Sequence, residues 1–184
     1  MTSNQIVNND LPILVAYATR AGSTKEVAEQ VAATLSENGI KNELKPAKEV
    51  RSLAGYQAVV LGAPLYMFHW QRDALNFLSR HKADLAEKPL AIFALGPFHD
   101  DEKEIQSARQ QLDKDLLSYA WLQPVDIQIF AGKFDPAKLA FPFNLLMVFP
   151  GNPMKKMPPS DERNWPQIKA WAAGLPDQLI QKMG

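Results

Sequence analysis

The chain has 184 residues, with twenty basic and twenty acidic side chains giving a formal net charge of zero, and 46% of it is hydrophobic. A neutral surface offers no basic field to nucleic acid and no acidic field to a strongly cationic partner. Cysteine is absent, which excludes disulfides, iron–sulfur clusters, thiolate-held metals and cysteine redox chemistry. Length and apolar fraction suit one globular domain, read as residues 11–184 behind a disordered polar tail at 1–10. That tail has no signal-peptide pattern, so a cytoplasmic location is expected.

In chain order, the apolar run Ile13–Ala18 predicts a buried strand. Val27, Val31 and Leu35, with Ala28 and Ala32, then repeat at the spacing of one helix face, predicting a helix over Thr24–Asn38. Strands are expected at Lys41–Lys45, Ala58–Gly62, Leu90–Leu95 and Val125–Phe130, and helices at Arg72–His81 and Glu102–Tyr119. Only a short turn fits between Ala47 and Tyr56. A last helix begins near Asn164, a good N-cap, with Pro166 tolerated in the first turn and Ile168 and Trp171 turned inward. This alternation predicts an α/β fold with a mainly parallel sheet.

Burial fixes the strand order. The first, third and fourth strands are almost wholly apolar and suit the centre, whereas Lys41–Lys45 and Val125–Phe130 carry polar residues and suit the edges. The result is a doubly wound, three-layer, five-stranded sheet in the order 2-1-3-4-5. Its switch point lies between strands one and three.

Three loops converge at the carboxyl ends of the central strands. In the first, Thr19-Arg20-Ala21-Gly22-Ser23-Thr24, three hydroxyl side chains and a tight-turn glycine precede a helix N-terminus, with local positive charge from Arg20 and Lys25. Backbone amides, hydroxyls and a helix dipole at one place suit a phosphate. The Lys-Ser/Thr pair of a nucleoside-triphosphate loop is missing. The second loop, Ala63-Pro64-Leu65-Tyr66-Met67-Phe68-His69-Trp70, has planar groups suited to covering a flat ring system. Tyr66 and Phe68 are its better candidates; Trp70 is read either as a contact or as the inward start of the next helix. In the third, Gly96-Pro97-Phe98-His99-Asp100-Asp101, Gly96 and Pro97 permit close backbone approach, Phe98 or His99 can flank a ring, and the acids suit a helix N-terminus. The histidines have no metal-ligand spacing, so no metal site is expected. No residue stands out as a general base.

Pro136–Pro166 holds seven of the fourteen prolines and, from Leu139 to Met154, no charge. The run is too short and too broken by Pro142, Pro150 and Pro153 to span a membrane, which needs roughly 20 apolar residues. Two readings stay open: a surface loop whose aromatics tuck onto the core, or an apolar flap at Phe141–Phe149 that meets a partner, a quinone or the membrane surface.

These motifs resemble the flavodoxin family. Within it they resemble most the branch that includes menaquinone-dependent protoporphyrinogen dehydrogenases. The matching features are Ala18–Thr24, Gly62–His69, Ala131-Gly132 with its long apolar continuation, and the closing helix from Asn164-Trp165 to Trp171-Ala172. The resemblance implies a flavodoxin-like fold and non-covalent FMN. Its phosphate would rest on the first loop and its isoalloxazine between the second and third. It also implies electron exchange between a reduced substrate and a quinone or redox-protein partner, or, alternatively, a non-catalytic carrier. Two features depart from the pattern. Ala21 stands where flavodoxins usually carry a hydroxyl, so Arg20 is expected to compensate. The acidic Asp100-Asp101-Glu102 edge would repel the propionates of a tetrapyrrole.

Overall fold

The computed structural model describes residues 11–66, 69–97, 99–135 and 158–181. Strand β1 (Ile13–Tyr17) is followed by α1 (Ser23–Glu37), β2 (Asn42–Pro46) and a single 3₁₀ turn at Ala47–Glu49. Next come β3 (Ala58–Tyr66), β4 (His69–Trp70), α2 (Arg72–Arg80) and α3 (Lys82–Glu87). Strand β5 (Leu90–Leu95), α4 (Glu102–Leu116), β6 (Asp126–Phe130), β7 (Lys133–Phe134), β8 (Ser160–Asp161) and α5 (Trp165–Gln181) complete the described chain.

The main sheet runs β2-β1-β3-β5-β6 with every neighbouring pair parallel, so the order predicted from burial holds. Period-two alternation sends Leu14, Ala16 and Ala18 to one face and Ile13, Val15 and Tyr17 to the other. On the first face Leu14, Leu61 and Ile92 meet Phe77 and Leu78 of α2 and Leu112 of α4. On the second, Val15, Val60 and Phe93 meet Val27 and Val31 of α1 and Ile168 and Leu175 of α5. Central strands β1 and β5 are buried throughout, whereas β2 is largely half-exposed, as an edge strand should be.

The sheet has six strands where five were expected, because β3 continues past Gly62 to Tyr66 and folds back on β4. Pro64 is tolerated there for a positional reason. Strand β1 ends opposite Gly62, so beyond it one side of β3 needs no amide donor, while Pro64 still aligns with Leu95 on the other. Two further elements were not predicted: the short α3, and the antiparallel β7–β8 pair that joins Lys133 to Asp161 and Phe134 to Ser160. The helix expected to run to Tyr119 tightens into a 3₁₀ turn at Leu117–Tyr119.

Candidate functional site

The first loop leaves β1 and reaches α1 through Gly22, whose φ of 92° is left-handed and suits glycine. The Gly22 amide donates to Thr19 Oγ1 at 2.9 Å, closing the loop on itself. The N-cap residue Gly22 offers no side-chain cap to α1. Thr24, in the first turn, is fully buried, and its Oγ1 has no hydrogen-bond partner among the described residues. A buried hydroxyl without a partner costs about 1–3 kcal/mol, and here it lies beside open helix amides. Ala21 and Arg20 are exposed, and Ser23 is half-buried.

The loops meet as the sequence implied. Ala18 donates to the Gly62 carbonyl at 2.8 Å, tying the root of the first loop to β3. Leu65 packs on Gly96, where an added Cβ would lie 3.0 Å from Leu65 Cδ1, so the second and third loops touch. Pro64 accepts from the Gln71 amide through its carbonyl. Tyr66 pairs with His69 along the hairpin, and His69 is largely exposed at its tip. Trp70 is a core residue: it is 1% exposed and its Nε1 donates to the Ala63 carbonyl at 3.1 Å. Met67, Phe68, Phe98 and the Phe141–Phe149 segment lie outside the described residues.

One helix holds both the second and the third loop. Asp115, in the last turn of α4, accepts from the Trp70 amide at 2.6 Å and bonds His69 Nδ1 at 3.1 Å. Glu104, in the first turn, takes the His99 amide at 3.1 Å and lies 2.7 Å from His99 Nδ1, which raises the imidazole pKa above its ordinary value. Asp101 caps α4 by accepting from the amides of Lys103 and Glu104, as its position before the helix implied. Asp100 instead accepts from Asn164 Nδ2 at 3.2 Å. Asn164 caps α5 through the Gln167 amide.

Sequence reasoning missed the other side of the first loop. Pro97 accepts from the Gly132 amide at 2.7 Å, and Gly132 accepts from the Glu162 amide at 3.1 Å, leading to Arg163. The Arg163 side chain is 2% exposed and stacks on Trp165 at 4.6 Å. Its Nε and Nη2 bond Asp161 at 2.7 and 2.6 Å, and its Nη1 reaches Glu26 Oε2 at 2.8 Å and the Ser23 carbonyl at 3.3 Å. Burial alone would lower the Arg163 pKa; the bonds to Asp161 and Glu26 outweigh it and keep the guanidinium charged. The Arg163 hydrogen bonds also hold the Asp161 carboxyl below its usual range. Ala21, Ser23, Glu26, Lys133 and Asp135 line a shallow depression beside this cluster. No spacing in the sequence links Arg163 to Ser23, which lies 140 residues earlier.

Among the described residues, no group of three His, Asp or Glu side chains could hold a metal ion, and no helix is long and apolar enough to cross a membrane.

A doubly wound parallel sheet in the order β2-β1-β3-β5-β6 defines a flavodoxin-like α/β protein. The Flavodoxin domain family matches residues 14–159, and the chain belongs to it. It is a flavoprotein, and its family implies FMN as cofactor. The chain is similar to protoporphyrinogen IX dehydrogenase (quinone) of Escherichia coli, with 25% identity over 65% of this chain and 67% of that one. It is also similar to the protein of that name from Leishmania major, with 27% identity over 65% of this chain and 53% of that one. Among solved structures, oxidised flavodoxin 2 of Bacillus cereus superposes with a TM-score of 0.54 at 18% identity, covering 93% and 99% of the two chains. The cradle fits the cofactor's phosphate: an orphaned buried hydroxyl and uncapped amides are the groups such an anion satisfies.

Proposed function

We propose that the protein is an FMN-dependent oxidoreductase that passes electrons between a reduced substrate and a quinone or protein acceptor. The observation that carries the site is the unpartnered Thr24 hydroxyl at the uncapped start of α1. Similarity to two quinone-named dehydrogenases supports the choice of enzyme over carrier. The formal charge of zero adds support, since the chain lacks the overall acidic excess that favours docking on basic reductases.

FMN, when bound, supplies reversible one- and two-electron transfer. The chain's own residues hold and orient it. Thr19, Arg20, Ala21, Gly22, Ser23 and Thr24 seat the phosphate through hydroxyls and main-chain amides. The segments Pro64-Leu65-Tyr66-Met67-Phe68-His69 and Gly96-Pro97-Phe98 flank the ring. Apolar side chains there exclude water and disfavour added negative charge on the ring. In this reading Phe141–Phe149 is the segment that meets quinone or the membrane surface. The acidic Asp100-Asp101-Glu102 edge argues against a dianionic reduced substrate.

An anaerobic stopped-flow experiment tests this reading. The FMN-loaded protein is photoreduced, then mixed with a soluble naphthoquinone or with oxidised cytochrome c. The expected result is reoxidation by the quinone faster than for free reduced FMN. Quinone reoxidation no faster than free FMN, with rapid transfer to the cytochrome, would favour the carrier instead.

A further inference from the structure

We infer that Arg163 makes the first loop selective for a phosphorylated flavin over an unphosphorylated one, by neutralising Glu26. This rests on the FMN reading of the site. Glu26 sits in the first turn of α1, where its charge complements the helix dipole but opposes an incoming phosphate dianion. Asp135 adds a second acid and Lys133 a cation to the same depression. Hydroxyls and amides can hydrogen-bond a phosphate, but they do not cancel that repulsion.

Arg163 cancels it. Its guanidinium is fixed from three directions, by the bidentate Asp161 contact, the Trp165 ring and the Ser23 carbonyl, so Nη1 meets Glu26 in one geometry. A buried, preorganised guanidinium loses little freedom in holding that carboxylate. The Ser23 carbonyl belongs to the residue that opens α1, so the same side chain also sets the backbone whose amides face the ligand. Thr24, one residue on, is fully buried and its hydroxyl has no hydrogen-bond partner among the described residues. Arg163 therefore acts as a positioning residue through Glu26 and Ser23. Riboflavin, which lacks the phosphate, should be indifferent to the Glu26 charge.

The test compares FMN and riboflavin binding to the full chain by flavin fluorescence quenching, for Arg163→Met, Glu26→Gln and the double variant. For Arg163→Met, FMN affinity should fall about tenfold while riboflavin affinity stays within about twofold. Adding Glu26→Gln to that variant should restore most of the FMN affinity. Glu26→Gln alone changes a partly exposed residue and leaves the Asp161 contact in place. It should tighten FMN several-fold relative to riboflavin. If both flavins weaken together in Arg163→Met and Glu26→Gln restores neither, Arg163 is only a fold-stabilising clamp. Should Arg163→Met fail to fold, an unchanged FMN-to-riboflavin ratio in Glu26→Gln alone overturns the inference. An unsubstituted protein that binds riboflavin as tightly as FMN also overturns it. One that binds neither removes the flavin reading and this inference with it.

Discussion

The distal end of the Phe93 ring occupies the space that a side chain on Gly62 would need: a Cβ there would lie 1.9 Å from Phe93 Cζ. The two residues are register partners on β3 and β5. Phe93 in turn makes edge contacts with Trp171 of α5 at 5.9 Å, so the glycine seats an aromatic cluster between sheet and helix. Gly62→Ala should destabilise the fold by about 1–3 kcal/mol through overpacking. Chemical denaturation with a loss of that size, with an unchanged urea slope, would support the assignment. A neutral substitution would mean Phe93 has another rotamer available.

Thr24→Val should move stability and affinity in opposite directions. Removing a buried hydroxyl that lacks a partner stabilises the FMN-free protein by about 1 kcal/mol, because the desolvation cost disappears with it. The same change should weaken FMN by about 1–3 kcal/mol, the range for a hydrogen bond to a charged acceptor. Melting without ligand and titration with FMN read the two effects separately. Loss of stability with unchanged affinity would place the phosphate elsewhere.

Asp115→Ala should release the β3–β4 hairpin. The carboxylate takes the Trp70 amide at 2.6 Å and contacts His69, and its side chain is 11% exposed. The expected loss is about 1.5–3 kcal/mol, typical of a hydrogen bond to a charged group. Hydrogen exchange at the Trp70 amide should accelerate, and unchanged protection there would count against this role.

His81 should make stability fall on acidification. It is 5% exposed, and burial lowers its pKa below the ordinary 6.5 despite the Val50 carbonyl 3.3 Å from Nε2. The unfolded chain therefore binds the proton first. Nothing is lost above about pH 6.5, and stability declines as pH drops from there towards the folded-state pKa, by at most about 1.4 kcal/mol per unit. The exposed His99–Glu104 pair has the opposite sign, contributing below pH 6.5 and fading as pH rises, but added salt screens it. At high salt, His81→Gln should flatten the slope between pH 6.5 and 5. A slope unchanged in that variant would assign the effect to other groups.

Much of the architecture was legible in the sequence because central strands and amphipathic helices write their burial as periodicity. Ile13–Ala18 and the Val27, Val31, Leu35 stripe were read correctly to within a residue or so, and the polar Lys41–Lys45 was placed at an edge. Caps were legible as well, since Asp101 and Asn164 act through neighbouring amides. The β4 and β7–β8 strands were not, because two-residue strands carry no repeat. Pro64 was read as loop because its place beyond the end of β1 is a tertiary fact. Arg163 escaped for the same reason: one cation among twenty Lys and Arg residues acquires its role from Ser23 and Glu26, which only folding brings near.

The carboxylates at the two ends of α4 hold the second and third loops, Glu104 through His99 and Asp115 through Trp70. A single rigid rod thus works as the beam of a calliper. Its seating on the sheet couples the two loops, so neither can shift without straining its tether to the other.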